Sequence, residues 1–493
     1  MAETVDTSAR AGDRSAGRGA GSADLASGRV TGLLLMAAGV SAISSLLYGY
    51  DTGIISGALL QIREDFHTGS GMEQIIASSI LLGAIIGALV CSRLSEQLGR
   101  KRTLLLVSVI FVVGALGAAV APTTWLLSLA RVVLGVAVGG ATQTVPMYVA
   151  ELAPPKHRGK LVLTFQIGIG VGIVVSTVVG ASEQFSWRMS IGMAAVPAAV
   201  MLLLSLRLPE SPRWLVKQDD RDGARAVLEK VRPHGVDVSG ELGEIEEIEN
   251  EERKVGEHRR GWSGLRQPWI RPALVVGCGI AVFTQLSGIE MIIYYAPTIL
   301  TQNHFSTSAA LLVSVGLGVT YLVMMLVGFS IVDRVGRRRL TLVMVPGAAL
   351  ALIVLGALFV TGNTGRGTIG FIIVCLVVFM FFNAGGLQLM GWLTGSEIYP
   401  LAVRGAGTSA QSATLWTTNL LITITLLTIL NAIGAGPTMW LYALFNVAAW
   451  VFVWRRMPEL TGRSLEQIEG QLHTGHFRPR DFQRLPSPAA ARQ

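Results

Sequence analysis

The chain of 493 residues has only 15% charged side chains, against about a quarter in an ordinary soluble protein. Its mean hydropathy of +0.54 is gathered in blocks such as 104–121, 191–206, 340–360 and 369–382. A bilayer crossing needs about 20 apolar residues, so these blocks exclude a soluble fold and predict an all-α polytopic membrane protein with about twelve crossings. The formal charge of +8 is not a nucleic-acid signal, because the basic residues sit in alternate connections. Arg93, Arg100, Lys101 and Arg102 share one, Lys156, Arg158 and Lys160 another, and Arg334, Arg337, Arg338 and Arg339 a third. The segments 122–124, 302–306 and 431–436 between them have no Lys or Arg. That asymmetry predicts both termini in the cytoplasm and no nucleic-acid partner.

In chain order, residues 1–29 are rich in Ala, Gly, Ser and Arg and are expected to be a disordered cytoplasmic tail. They lack the cleavage site of a signal peptide. The first helix is expected over 31–61 and holds Asp51 deep in an apolar stretch; the fourth apolar segment holds Arg131. An ionised side chain at mid-membrane costs about 2.5–3.5 kcal/mol on insertion scales, so the two are expected to satisfy one another. They form either a static ion pair or a proton site, and intramembrane ionisable groups favour the second: protonated, Asp51 releases Arg131 and lets helices move. Gly83 and Gly87, Gly135 and Gly139, and Gly168 and Gly172 are each four apart, on one helix face, where small residues let backbones approach.

Composition turns soluble over 208–267, predicting a cytoplasmic linker with helices at 222–232 and 240–254, the latter with Leu242, Ile245 and Ile248 on one face. The expected divisions are thus a six-helix bundle over 30–207, the linker, a second six-helix bundle over 268–456, and a cytoplasmic tail over 457–493 with a helix near 464–472. Cys91, Cys278 and Cys375 lie in apolar segments without metal-ligand spacing and are expected in helix packing. No nucleophile–base pair, metal cluster or phosphate-cradling glycine loop stands out, so neither an enzyme nor a cofactor is expected.

Three charged phrases occur twice, roughly 240 residues apart. Glu96-Gln97-Leu98-Gly99-Arg100-Lys101 answers to Asp333-Arg334-Val335-Gly336-Arg337-Arg338. Glu151, Pro154, Arg158 and Gly159 answer to Glu397, Pro400, Arg404 and Gly405. Pro209-Glu210-Ser211-Pro212-Arg213 answers to Pro458-Glu459-Leu460-Thr461-Gly462. Such duplication of a half-protein within a membrane is the usual plan of a secondary transporter with its site between the halves.

These phrases resemble those of the major facilitator superfamily, and Pro209–Leu215, Pro458–Leu465, Gly49-Tyr50-Asp51-Thr52-Gly53, and Gln285-Leu286-Ser287-Gly288 with Tyr294-Tyr295 resemble its sugar porter branch. The resemblance covers about 30–470 and implies a major facilitator fold, twelve transmembrane helices in two pseudo-symmetric six-helix bundles around a central sugar site. It implies that Asp51, with Arg131, is the carboxylate of proton-coupled members. Gln166, Gln285, Trp392, Trp416 and Asn419 match sugar-binding positions. Arg100, Glu151, Arg158, Asp333, Arg337, Glu397 and Arg404 match a charge network that closes the cytoplasmic gate when the protein faces outward. Amides both donate and accept, as hydroxyls do, and a sugar ring's flat face packs on indole.

Four positions of the second half depart from the pattern: Thr284 precedes Gln285 in place of a second glutamine, Glu290 stands for asparagine, Leu415 for asparagine before Trp416, and Gln388-Leu389 for Gly-Pro. Glu290 is a candidate substrate contact: ionised, it only accepts, and it suits a hydroxyl pair, a cationic solute or a second titrating site. The expectation is a monomeric proton symporter of a sugar or polyol in the inner membrane. The rivals are a same-scaffold transporter or exporter of an amino sugar, organic cation or glycosylated metabolite, and a transport-inactive sensor, disfavoured by the short tails.

Overall fold

The computed structural model describes residues 31–182, 184–233, 236–254, 261–303, 305–361, 368–463, 465–475 and 477–483. The expected tail over 1–29 lies outside them. Among the described residues there are no strands, and twelve helices are long and apolar enough to cross a membrane. They are α1 (Gly32–Phe66), α2 (Ser70–Leu98), α3 (Arg100–Ala119), α4 (Thr124–Leu152), α5 (Pro155–Ala181, apolar from Thr164), α6 (Trp187–Arg207), α7 (Pro268–Gln302), α8 (Thr307–Val335), α9 (Arg337–Val360), α10 (Ile369–Gly395, its last turn running to Ile398), α11 (Arg404–Ile433) and α12 (Ala435–Arg456). Exposed leucines and valines such as Leu129, Val196, Leu312 and Val343 stud their outer faces, as lipid contact requires.

Local chemistry sets the ends. Thr31, Thr123 and Ser306 accept from the backbone N–H three residues on, capping α1, α4 and α8. The first helix runs five residues beyond the expected Gln61, to Phe66, and His67 closes it in the left-handed region. The extra turn is held by Arg63, whose guanidinium grips the buried Glu73 of α2 through Nε and, at 2.7 Å, through Nη2.

The glycine pairs work within the chain. A Cβ on Gly135 would stand 1.9 Å from the carbonyl oxygen of Ile80, and one on Gly83 2.0 Å from that of Val132. Thus α2 and α4 touch backbone to backbone. Gly49 and Gly172 do the same for α1 and α5. The spans before the linker meet those after it along α2 with α11 and α5 with α8.

Between α6 and α7, short helices at Pro212–Lys217, Arg221–Val231 and Ser239–Lys254 share a small core of Val216, Ala224, Leu228, Val238 and Leu242. Ile245 packs on that core, but Ile248 is exposed; the apolar face expected through Ile248 stops one turn earlier. Arg232 ties these helices to the spans. It is buried, pairs with Glu241 at 2.6 Å and donates to the carbonyl of Leu152 at the end of α4.

Candidate transport site

At the end of the bundle that carries the basic connections, the three repeated phrases of each half converge on one cluster. Arg100 donates to both carboxylate oxygens of Glu151 at 3.0 Å, while the Glu210 carboxylate accepts from the backbone N–H groups of Arg100 and Lys101 at 2.8 and 3.1 Å. In the second half, Arg337 donates to Glu397 at 3.1 and 2.7 Å, and Glu459 accepts from the N–H groups of Arg337 and Arg338 at 2.9 and 3.1 Å. Each third-phrase glutamate therefore caps the first-phrase helix, where free N–H groups and the helix dipole favour an anion. The glycine of each phrase follows from the same geometry. Gly99 and Gly336 have φ of +95° and +97°, and a Cβ on them would lie 2.3 and 2.5 Å from the capping carboxylates of Glu210 and Glu459.

These caps yield a paired prediction. Glu210→Gln and Glu459→Gln each replace charge-assisted bonds with neutral ones, so each is expected to lower stability by about 1–3 kcal/mol. Thermal unfolding of the detergent-solubilised variants measures this. A loss confined to one variant would contradict the equivalence of the two caps.

Of the seven expected gate residues, the structure pairs Arg100 with Glu151, and Arg337 with both Glu397 and Asp333, the latter at 2.7 Å. Each of these pairs lies within one half. Asp333 is 76% exposed, so its pair with Arg337 is the weaker one. Arg404 donates from Nε to the Tyr399 carbonyl at 3.2 Å. Arg158 lies outside the residues whose side chains are described. Contacts between the halves at this end include Ser409 with Ser92 at 2.9 Å; at the opposite end Gln74 bonds Thr428 at 3.0 Å.

Toward the end opposite the basic connections, Asp51 and Arg131 face each other as the sequence leads one to expect. Both are buried, with two parallel Nη–Oδ contacts of 3.4 Å each. Arg131 Nε also donates to the Ile76 carbonyl at 2.9 Å, so one guanidinium joins α1, α2 and α4. The contacts to Asp51 exceed the 2.7–2.9 Å or so of a tight charged hydrogen bond. The pair is held by charge more than by close bonding.

The second half supplies a different feature, hidden by its continuous apolar sequence: two of its spans are broken. α7 consists of Arg271–Leu286 and Ile289–Gln302 around a Ser287-Gly288 hinge, with Gly288 at φ +96°. Asn446 of α12 donates to the freed Ser287 carbonyl at 2.8 Å and steadies the break. α10 is interrupted at Gly385-Gly386. Irregular backbone at this depth persists where it is enclosed by protein, and such discontinuous helices mark solute sites in transporters.

Around the breaks stand the expected solute contacts. Gln285 lies in the last turn of the first piece of α7 and Glu290 in the first turn of the second; Trp392 lies on α10, Trp416 and Asn419 on α11, and Gln166 on α5. Trp416 meets Trp392 edge-on at 6.4 Å between ring centroids and Tyr48 of α1 at 5.3 Å. Asn419 lies against the Glu290 carboxyl. Gln166 Oε1, Gln285 Oε1, Glu290 Oε2, Trp416 Nε1 and Asn419 Nδ2 are all buried without completing a hydrogen bond to the protein. A buried polar group left so costs about 1–3 kcal/mol, and such groups suit a ligand rich in donors and acceptors.

Sequence reasoning missed several residues here. Tyr48, Tyr294 and Tyr321 all surround Glu290. Tyr294 also touches Thr52, next to Asp51, and so spans from the solute region to the ion pair. Asn383 of α10 has both amide atoms buried and unbonded. The departures gain a local meaning too. The Thr284 hydroxyl is engaged by the carbonyls of Ile280 and Ala281 in its own helix, and Thr284 and Leu415 both flank Gly391 of α10. Gln388 lies against Tyr321.

Comparison with known proteins agrees with this architecture. The family described as "Sugar (and other) transporter" matches residues 37–472. A D-xylose transporter of Levilactobacillus brevis is 38% identical over 436 residues, covering 87% of this chain and 94% of its own. The arabinose-proton symporter of Escherichia coli is 34% identical, covering 88% of this chain and 92% of its own. The xylose transporter XylE from E. coli, solved in a partially occluded inward-open conformation, superposes with a TM-score of 0.75 at 26% identity, covering 88% of this chain and all of that one. The chain therefore belongs to the sugar (and other) transporter family, the sugar porters of the major facilitator superfamily.

Proposed function

We propose that the protein is a secondary active transporter that carries a neutral sugar or polyol together with a proton across the cytoplasmic membrane by alternating access. The observation that carries this reading is the set of buried, unbonded polar atoms on Gln166, Gln285, Glu290, Trp416 and Asn419 beside packed indoles. Amide and indole groups of this kind pair with hydroxyls, and the rings cover a sugar's apolar face. The basic α2–α3 and α8–α9 connections face the cytoplasm, with both termini on that side. The bundles 30–207 and 268–456 rock about the site, and the protein works as a monomer.

Coupling resides in Asp51. Ionised, it holds Arg131 and keeps α1, α2 and α4 together. Protonation removes the charge that holds the pair, and Tyr294, which touches both Thr52 and the solute region, carries the change to the site. At the cytoplasmic end, Arg100 with Glu151, and Arg337 with Glu397 and Asp333, together with Arg158 and Arg404, form the gate. A proton descending about 100 mV releases about 2.3 kcal/mol, and a tenfold solute gradient costs about 1.4 kcal/mol, so one proton per solute supports accumulation of tenfold or more.

Uptake into proteoliposomes tests this with D-xylose, L-arabinose, D-glucose, myo-inositol and D-glucosamine under an imposed pH gradient. At least one neutral sugar or polyol is expected to accumulate with the gradient and only to equilibrate without it. Transport of glucosamine alone would favour a cationic solute, and transport of none would overturn the reading.

A further inference from the structure

Glu290 is buried in the first turn after the α7 break. The side chains that act on it are neutral: Tyr48 from α1, Tyr294 from its own helix, Tyr321 from α8 and Asn419 from α11. Among the described residues, Glu290 forms no ion pair with a basic side chain. The nearby guanidinium, Arg131, is already engaged by Asp51 and the Ile76 carbonyl. An ionised carboxylate in such a place lacks the partner that burial demands, so its counter-charge must come from outside the chain, as a proton or as a cation on the solute.

We propose that Glu290 is a second proton-binding carboxyl of the transport cycle, set inside the solute site so that the solute binds against its protonated form. This rests on the sugar-transport reading and deepens it. Two observations select the proton over a cationic solute. The groups with unbonded atoms that neighbour Glu290, Asn419 directly and Trp416 by way of Tyr48, are neutral and suited to hydroxyls. A protonated carboxyl both donates and accepts, which matches that chemistry as the usual asparagine would, whereas an ionised one only accepts. Tyr294 moreover joins Glu290 to the Asp51 region, so the two carboxyls lie on one route while only Asp51 has a permanent cationic partner.

The test uses purified full-length protein as wild type, Glu290→Gln and Asp51→Asn. Infrared spectroscopy without sugar reads the protonated-carboxyl C=O stretch directly. Tryptophan fluorescence, reporting from Trp392 and Trp416, reads binding of D-xylose, D-glucose, L-arabinose, myo-inositol and D-glucosamine across a pH series. A carboxyl band present in wild type and Asp51→Asn and absent in Glu290→Gln is expected. Neutral-sugar affinity should fall about tenfold per pH unit once the carboxyl ionises, in wild type and Asp51→Asn, and this slope should be lost in Glu290→Gln. A band that Glu290→Gln leaves in place, or a pH slope that survives it, overturns the proposal. So does glucosamine binding more tightly than the neutral sugars in wild type and losing that preference in Glu290→Gln, which would make Glu290 an anion held for a cation. A band removed by Glu290→Gln with no sugar binding any variant counts against the sugar reading and for the proton-carrying carboxyl.

Discussion

Asp51→Asn is expected to end accumulation of sugar against a gradient while leaving exchange of sugar across the membrane. Asparagine keeps the shape of a protonated aspartic acid and cannot ionise, so the variant stays in the proton-loaded state. Arg131 keeps its bond to the Ile76 carbonyl and can still donate to the amide oxygen, so the helices retain a link. What is lost is the return step, in which an ionised Asp51 recaptures Arg131 and resets the empty carrier. Accumulation of tenfold or more, the amount one proton supports at about 100 mV, should fall to none. Counterflow of labelled sugar in vesicles preloaded with unlabelled sugar should continue. A variant that still concentrates sugar would remove Asp51 from coupling. Arg131→Ala should behave differently: it leaves the buried Asp51 without its cationic partner, a loss of about 3–5 kcal/mol, and should reduce the yield of folded protein.

The second large effect concerns the scaffold. Gly135→Ala would place a methyl carbon 1.9 Å from the Ile80 carbonyl oxygen and against the backbone nitrogen of Ala84. No rotamer change relieves a clash between two backbones, so α2 and α4 would have to part. The expected loss exceeds about 3 kcal/mol, the upper end of ordinary overpacking, and should appear as aggregation on size-exclusion chromatography in detergent. Gly370→Ala is the control, because a Cβ there meets nothing within 4 Å; in a helix it should be neutral or slightly stabilising. Equal tolerance of both substitutions would contradict the backbone contact.

The sequence carried much of this because the bilayer makes strong demands. Twelve apolar runs, the basic connections and the facing Asp51 and Arg131 all follow from the cost of polar groups in hydrocarbon. The repeated phrases announced duplication, yet their purpose was not legible. That Glu210 and Glu459 lie on Gly99 and Gly336 depends on contacts more than a hundred residues apart. The breaks in α7 and α10 were hidden for another reason: hydropathy is continuous through Ser287-Gly288 and Gly385-Gly386, and only an enclosing neighbour such as Asn446 permits the interruption. Glu73 was passed over because it sits at a helix start, where a carboxylate is ordinary; its burial against Arg63 shows only in the packing. Family resemblance drew attention to Gln166, Gln285, Glu290, Trp392, Trp416 and Asn419 and included Tyr294 only as part of a motif, while Tyr48 and Tyr321 stand in apolar strings that give them no distinguishing pattern.

Proton movement driven by sugar tests the central claim most directly. In a lightly buffered suspension of proteoliposomes at zero membrane potential, adding a transported sugar outside should draw protons inward with it. The external medium should turn alkaline on addition of sugar, and Asp51→Asn should abolish that response. Sugar entry at the wild-type rate with no change in external pH would contradict proton coupling and leave a facilitative carrier.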